Sequence, residues 1–283
     1  MTPLETYAAH RSYPSPRSVF ATNFIGAGVD DSGRPVGRFS VDIDRIHPAY
    51  GLLRRSLALL ELGHLWMNLD VALAPRSLTA QQVGAIRWKS ATYGEVEFSP
   101  DPIVGKSNLG GIEPGRAFDS RSSNPPSPEW YDPPLRSKEL QPLLSTLFDL
   151  GAVTEASFVF YGHTFEGGHV HVQKLMTDGS TVHRRFEQAA ADDIVRNGLT
   201  ICADMSFASA HGTDESTLLS LGRIAQLSCL AAGLAGLAAR PLRSMNEARL
   251  SRILRLPLDL VPLYQIRLAP IWRTALTREV WPR

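Results

Sequence analysis

The sequence predicts an α+β fold in which long apolar helices flank a mostly antiparallel sheet. Three observations support this prediction: two helical segments that are apolar on nearly every turn, a series of short apolar segments bounded by turn residues, and a similarity between the two helical segments. A helix that is apolar all round is buried in a core or in an interface. With 283 residues, the chain can form one large domain or two small ones.

The first half is predicted to contain two strands and one long helix. Strands are expected at 19–25 and 38–43, and the helix at 50–74 ends at Pro75. Ser77 is a candidate N-cap with Gln81 in the first turn after it, and this pattern predicts a short helix over 78–88. Residues 100–134 are dense in Gly, Pro and Ser, and this composition indicates a boundary or a long ordered loop.

The second half is predicted to alternate helices with a hairpin and further strands. The turn at Asp178-Gly179 makes 169–186 a β-hairpin. The other predicted elements, in chain order, are a helix at 137–150, a strand at 156–162, a strand at 199–204, the second long helix at 215–239, a short helix at 246–254 and a strand at 261–268.

The composition is typical of a soluble globular protein, with 43% apolar residues, 20% charged residues and a net charge of +1. This balance gives no electrostatic reason to expect a nucleic-acid or membrane partner. The longest apolar run, 227–239, is too short to span a bilayer, and the N-terminus lacks the apolar segment of a signal peptide. Cys202 and Cys229 lie in apolar runs, which favours reduced core thiols. We therefore expect a cytoplasmic protein.

The first long helix carries a polar stripe on an otherwise apolar surface. Glu61, His64 and Asn68 stand at i, i+3 and i+7, so they project from one side of the helix. Buried polar groups need partners, so the stripe predicts a hydrogen-bonded cluster or a ligand site. A bond between Glu61 and His64 would either link helices or orient a bound ring.

The two long helices resemble each other. LLELGHLWMNLDVAL at 59–73 recurs in outline as LLSLGRIAQLSCLAAGL at 218–234, with His64 and Arg223 at matching places after a glycine. This repeat predicts two related units, and the helices are expected to form the interface between these units or between subunits.

The segment that starts the first helix resembles the flavin-dependent dehydrogenases of the nitroreductase superfamily, in particular the branch that oxidises azolines in modified peptides. That branch has a Lys-Tyr-Gly motif before a helix with the pattern Glu-x-Gly-His-x-x-x-Asn. The lysine position is Ala49 here. The matching residues are Tyr50, Gly51, Glu61, Gly63, His64 and Asn68.

The second half extends the resemblance. The order of a small-residue helix, a short helix, a Leu-x-Leu-Pro step and a closing strand is similar to the end of a nitroreductase domain, and RSS at 121–123 followed by LRSKELQPLL is similar to its beginning. We interpret 116–283 as a shortened nitroreductase-like domain, 1–92 as a half copy of such a domain, and 93–115 as a linker. In the resembled family, the interface of the domain pair holds the flavin.

The resemblance implies FMN as cofactor. Arg121, Ser122 and Ser123 would grip its phosphate, because a guanidinium matches phosphate bidentately and hydroxyls complete the cradle. The alternative for these three residues is a solvated polar turn. Arg223 and Arg273 are further candidate cofactor ligands, and the alternative for Arg273 is a surface arginine.

The resemblance also implies a reaction. Flavin N5 would accept a hydride from a substrate carbon while a base removes a proton from an adjacent heteroatom. Tyr50 is the candidate base and His64 the second candidate catalytic residue, with Arg54 and His64 as cations near the tyrosine. The alternative for Tyr50 is an aromatic side chain that packs on the core where the helix begins.

The leading hypothesis is an FMN-dependent oxidoreductase of natural-product or modified-peptide biosynthesis. It would be a homodimer that dehydrogenates a C–N or C–C bond in a small-molecule or peptide substrate. The alternative is a catalytically silent nitroreductase-like subunit that binds a partner enzyme or substrate. Under the leading hypothesis the two halves meet across one shared site, whereas under the alternative the chain is a degenerate partner that has lost catalysis.

The predicted hairpin concentrates histidines. His169 and His171 alternate to face one side of a strand, His183 is expected beside residues 173–175, and His163 precedes the hairpin. Zinc or iron accepts histidines at such spacing, but no cysteine or carboxylate signature accompanies them. The prediction is a half-buried or solvated face and no metal.

Overall fold

The computed structural model describes residues 21–103, 108–120, 135–152, 158–187, 197–204, 215–242 and 246–270. The helices are α1 (Leu53–Leu73), α2 (Pro114–Ser120), α3 (Gln141–Asp149), α4 (Glu215–Leu234) and α5 (Glu247–Leu254). The strands are β1 (Thr22–Val29), β2 (Pro35–Asp42), β3 (Leu78–Gln82), β4 (Arg87–Trp88), β5 (Tyr93–Pro102), β6 (Phe158–Glu166), β7 (His169–Leu175), β8 (Thr181–Glu187), β9 (Asn197–Asp204), β10 (Leu237–Leu242) and β11 (Leu260–Pro270).

The strands form two antiparallel sheets with a common topology. The first sheet has the order β1-β2-β5-β3, with β4 paired to β5, and the second has the order β10-β11-β9-β6-β7-β8. In the first sheet α1 connects β2 to the edge strand β3, and in the second sheet α4 separates β9 from the edge strand β10 in the chain. The path β1-β2-β5-β3 therefore corresponds to β6-β9-β11-β10. The similarity of the two helices extends to the sheets around them.

The two long helices are in direct backbone contact where Gly63 of α1 meets Gly222 of α4. A Cβ atom on Gly63 would lie 2.8 Å from Cα of Gly222 and would overlap the carbonyl oxygen of Leu219. A Cβ atom on Gly222 would meet Cα of Gly63 at 3.0 Å and the carbonyl oxygen of Leu60. Only glycine permits this approach. The predicted contact between the long helices is confirmed, and its two sides match, since each glycine faces the other glycine and a leucine carbonyl of the opposite helix.

Both long helices lie mainly in the core. By length and composition, 53–76 and 215–234 are apolar enough to cross a membrane, but 67% and 83% of their most apolar windows are buried inside the protein. The core cluster draws on both sheets as well as on α1, α3 and α4. Cys202 and Cys229 are buried and not in a disulfide, as predicted.

The predicted helix over 78–88 is wrong, because these residues form β3 and β4, which pair with β5. Ser77 does not cap a helix. It adopts a left-handed conformation with φ of 57° after the 3-10 turn Ala74–Arg76. The buried carboxylate of Asp70 then accepts hydrogen bonds from Thr79 Oγ1 at 2.7 Å and from the Ala80 backbone N–H at 2.8 Å. This contact with α1 outweighs the local capping pattern.

Two other boundaries differ from the prediction. The second long helix ends at Leu234 and not at 239, because Gly236 turns the chain with φ of +78° into β10. The range predicted as a linker contains Tyr93–Pro102, which is β5, an interior strand of the first sheet. The first unit therefore includes β5. Domain limits of 1–92 and 116–283 otherwise remain a prediction.

The remaining predicted elements are confirmed within a few residues. They are β1, β2, α1, the turn and helix over 137–149, β6, the hairpin of β7 and β8, β9, α5 and β11.

Candidate functional site

Tyr50 is held at the start of α1 by a rigid local structure. The 3-10 turn Pro48–Tyr50 begins with His47, whose Nδ1 accepts a hydrogen bond from the Ala49 backbone N–H at 3.1 Å. Gly51 follows with φ of +51°, a conformation that favours glycine. The Tyr50 side chain is partly buried against the core. The next side chains are more exposed to solvent: Leu52 is 99% exposed and Leu53 is 43% exposed.

Arg54 fixes the segment that precedes Tyr50. Its Nε donates to the carbonyl oxygen of Ile46 at 2.9 Å, and Nη2 donates to the carbonyl oxygen of Ile43 and to Asp44 Oδ1, both at 2.9 Å. Hydrogen bonds from Thr92 and Arg54 hold the pKa of the Asp44 carboxyl below its usual value. The predicted neighbour of Tyr50 thus has its charge partnered by Asp44.

The polar stripe of α1 divides between two neighbours. His64 is 1% exposed, with Nδ1 3.0 Å from Gln226 Oε1 and Nε2 3.4 Å from the hydroxyl of Tyr264 in β11. Gln226 Nε2 donates to Asn68 Oδ1 at 2.7 Å. Glu61 instead accepts from the Thr22 backbone N–H at 2.7 Å, which ties α1 to β1. The prediction of a hydrogen-bonded cluster is confirmed, and in the contacts within the described ranges Glu61 and His64 bond to different elements.

Arg223 forms the matching contact on the other side of the helix crossing. Its Nη2 donates to the buried Asp70 Oδ2 at 2.9 Å, and the guanidinium lies 4.6 Å from the ring centroid of Trp66. Arg223 follows Gly222 as His64 follows Gly63, and each side chain bonds to the opposite helix. Arg223 as a cofactor ligand remains a prediction, since the described contact is an ion pair between α4 and α1.

A third contact joins the starts of the two helices. Arg55 Nη2 pairs with Glu215 Oε1 at 2.5 Å, and Trp88 Nε1 donates to the same oxygen at 2.8 Å. The Arg55 guanidinium lies 4.1 Å from the Trp88 ring centroid. Because both helices begin here and both continue past the glycine crossing to the Gln226–Asn68 bond, they run in the same general direction.

Arg121, Ser122, Ser123 and Arg273 lie outside the described residues, so their roles remain predictions.

Three residues that bond to the long helices were not predicted from the sequence: Asp70, Gln226 and Tyr264. For the first two, the available signal was a lone polar residue inside an apolar helix, which requires a buried partner. Tyr264 could not be found this way, because tyrosine is common in strands.

The four histidines do not all converge on one point. His163 is buried and its Nε2 lies 3.1 Å from Thr200 Oγ1, while His169 contacts Arg185. His183 is paired with Gln173 across the hairpin, as the turn position predicted. Burial, and next the neighbouring His183, lower the pKa of His171. Within the described ranges, no three His, Cys, Asp or Glu side chains are grouped to hold a metal.

The paired sheets and the helix crossing define a protein of nitroreductase-like fold. A nitroreductase-like protein from Anabaena variabilis ATCC 29413 superposes with a TM-score of 0.67 over 93% of this chain and 82% of its own, at 11% identity. This similarity establishes the fold and no more. Neither a protein-family model nor a curated protein matches the sequence.

Two further solved structures superpose only loosely. One is a nitroreductase-like protein from Ralstonia eutropha JMP134, with a TM-score of 0.39, 18% identity and coverage of 62% of this chain and 89% of that one. The other is the E. coli microcin synthetase McbBCD complex with truncated pro-MccB17 bound, with a TM-score of 0.38, 13% identity and coverage of 61% and 75%. Similarity at this level carries no argument about function.

Proposed function

We propose that this chain is an FMN-dependent oxidoreductase whose flavin lies where the two units meet. The observation that carries the proposal is the direct crossing of α1 and α4 at Gly63 and Gly222, between units of common topology. In the family that the sequence resembles, the flavin lies between two paired domains. Here the two sheets of common topology in one chain, a shortened domain and a half copy, would take the place of such a pair.

The available donors are consistent with this cofactor. Arg54 and Arg223 already bond to Asp44 and Asp70. We assign the FMN phosphate to Arg121 with Ser122 and Ser123, as the resemblance implies, because this donor set suits phosphate. Arg273 is a secondary candidate.

The reaction proposed is a dehydrogenation. FMN, when bound, supplies the hydride acceptor. Tyr50 would take the proton from the heteroatom beside the oxidised carbon, held by the turn that His47 and Arg54 stabilise. His64 is buried, and we propose a positioning role for it, because it anchors α1 to α4 and β11.

Two exposed leucines follow Tyr50 closely in the chain. Leu52 and Leu53 would give the proposed site an open apolar border, which suits a bulky substrate. We propose a small-molecule or peptide substrate of natural-product or modified-peptide biosynthesis, with a C–N or C–C bond oxidised by an enzyme similar to the azoline dehydrogenases. A cytoplasmic homodimer, with or without a partner subunit, is part of the same proposal.

A specific observation favours a second candidate. Ala49 replaces the lysine of the resembled motif, and His64 is enclosed among Gln226 and Tyr264. A nitroreductase-like subunit without catalysis, which binds a partner enzyme or its substrate, would need neither residue exposed.

The visible spectrum of the freshly purified chain separates these candidates. The first predicts the absorbance of oxidised flavin, or quenching of FMN fluorescence when FMN is added to the colourless protein. Arg121→Ala should weaken FMN retention, whereas the matched variant Arg116→Ala, in α2, should retain it. A colourless protein that does not take up FMN rejects the first candidate and favours the second. Equal flavin content in the two variants rejects the phosphate assignment alone.

A further inference from the structure

One face of the β7–β8 hairpin carries a polar group that the proposed oxidoreductase does not use. Gln173 and His183 are direct partners across the two strands, and His171 lies two residues before Gln173, on the same face. The ring centroids of His171 and His183 are 5.5 Å apart. Two imidazoles and one carboxamide are therefore adjacent on this hairpin.

The orientation of the Gln173 amide is fixed by its surroundings. Nε2 donates to the Ser137 carbonyl oxygen at 2.6 Å and to Ser137 Oγ at 2.7 Å. A carbonyl oxygen can only accept, so this amide atom must be the nitrogen. Oε1 therefore points elsewhere, on a side chain that is only 5% exposed.

Two buried atoms of this group have no hydrogen-bond partner within the described part of the chain. They are Gln173 Oε1 and His171 Nδ1. A buried polar atom without a partner costs about 1–3 kcal/mol, so these atoms need a partner from outside the protein, such as a water molecule or an ion. Both atoms can offer a lone pair, which suits a cation.

We propose that His171, Gln173 and His183 form a binding site for a divalent transition-metal ion. The ligand set is two imidazole nitrogens and one carbonyl oxygen, with an open position for water. Nitrogen-rich sets of this kind suit Zn²⁺, Co²⁺ or Ni²⁺ and not Ca²⁺.

Ser137 orients the group. Its Oγ lies 3.0 Å from His183 Nε2, and with Nε2 as the donor in this contact the lone pair of His183 Nδ1 is available to the ion. Metal-binding histidines are commonly oriented by such a bond through the other ring nitrogen. Because Gln173 also donates to Ser137, one residue at the start of the 3-10 turn Ser137–Leu140 holds two of the three ligands in place.

The test uses the full chain without a histidine tag, dialysed against EDTA and titrated with CoCl₂ and ZnCl₂ by calorimetry and by visible absorbance of Co²⁺. We expect saturable binding of one ion per chain and a rise in the melting temperature with Zn²⁺. His183→Ala and His171→Ala should weaken binding by about tenfold or more. His183 is exposed, so its variant should fold normally, as circular dichroism will verify.

His169→Ala is the matched control, because His169 lies on the same face but bonds to the Gly167 carbonyl oxygen and to Arg185. Its variant should bind Co²⁺ like the original protein. If the original protein shows no saturable binding, or if His183→Ala binds equally well, the site does not exist, and a water molecule satisfies the two buried atoms. Neither outcome depends on whether the chain binds FMN.

Discussion

His64 and Gln226 join the two long helices through a buried contact of 3.0 Å between His64 Nδ1 and Gln226 Oε1. The Gln226 amide is oriented by Nε2, which donates to Asn68 Oδ1. With Oε1 as the acceptor, His64 carries its proton on Nδ1, and Nε2 can accept from the Tyr264 hydroxyl. One imidazole thus connects α1, α4 and β11.

Replacing Gln226 with leucine should destabilise the fold by about 1–3 kcal/mol, because His64 and Asn68 each lose a buried partner. Urea unfolding followed by circular dichroism measures this change. Gln141→Leu is the matched control, since Gln141 is exposed at the start of α3. Equal midpoints for the two variants would show that the His64–Gln226 contact adds nothing to stability.

The long helices could be predicted from the sequence because burial makes them apolar all round. The glycine repeated in LELGH and LSLGR lies at their crossing point, but the repeat alone did not predict the crossing. The strand β3 could not be predicted, because Ser77 and Gln81 have the local pattern of a helix start. The Asp70 carboxylate that holds Thr79 and Ala80 acts from α1, and this tertiary contact is not visible in a local window.

Of the candidate site, the sequence shows the residues on α1 but not their partners, because the partners are brought close only by tertiary contacts. Tyr50 and the polar stripe stand out locally, since polar residues in an apolar helix are few. Their partners come from distant segments: Gln226 from α4, Tyr264 from β11 and Thr22 from β1. A periodic pattern shows that a buried polar group needs a partner, but it cannot identify that partner.

Gly63→Ala should destabilise the chain by about 1–3 kcal/mol or more, because the added methyl group would overlap the Leu219 carbonyl oxygen and force the helices apart. Gly222→Ala should have a similar effect through Leu60. The melting temperatures of the two variants, compared with that of the original protein, measure both losses of stability. Gly111→Ala is a suitable control, because no atom lies within 4 Å of the added carbon and its φ is not positive. Unchanged melting in the first two variants would contradict the close crossing.

Cys202 should resist thiol reagents in the folded protein. Burial raises the pKa of its thiol above the ordinary 9.0, so the reactive thiolate is scarce as well as inaccessible. Labelling with Ellman's reagent should be slow at neutral and mildly alkaline pH and should reach both cysteines only after unfolding in guanidinium. Rapid labelling of the native chain at Cys202 would contradict its burial.

The same shift predicts loss of stability at alkaline pH. The unfolded thiol ionises near 9.0, whereas the folded thiol keeps its proton, so the folded state binds more protons above this pH. Burial also raises the pKa of Tyr161 to about 12, and this shift likewise lowers the stability of the folded state at alkaline pH. Denaturation midpoints should therefore fall as the pH rises above 9.0. Cys202→Ala should reduce the slope, and a slope equal to that of the original protein would exclude Cys202 as a cause.

Tyr50→Phe tests the proposed base directly. The ring keeps its packing against the core, and His47 and Arg54 still hold the backbone, so flavin content should not change. Loss of the hydroxyl removes the group proposed to accept the substrate proton, and loss of general-base catalysis typically slows turnover by about 10²–10⁴-fold. The measurement is anaerobic flavin reduction by a substrate that reduces the original protein, with Tyr93→Phe as the control. Full activity in Tyr50→Phe with normal flavin content would assign proton removal to another residue or to water.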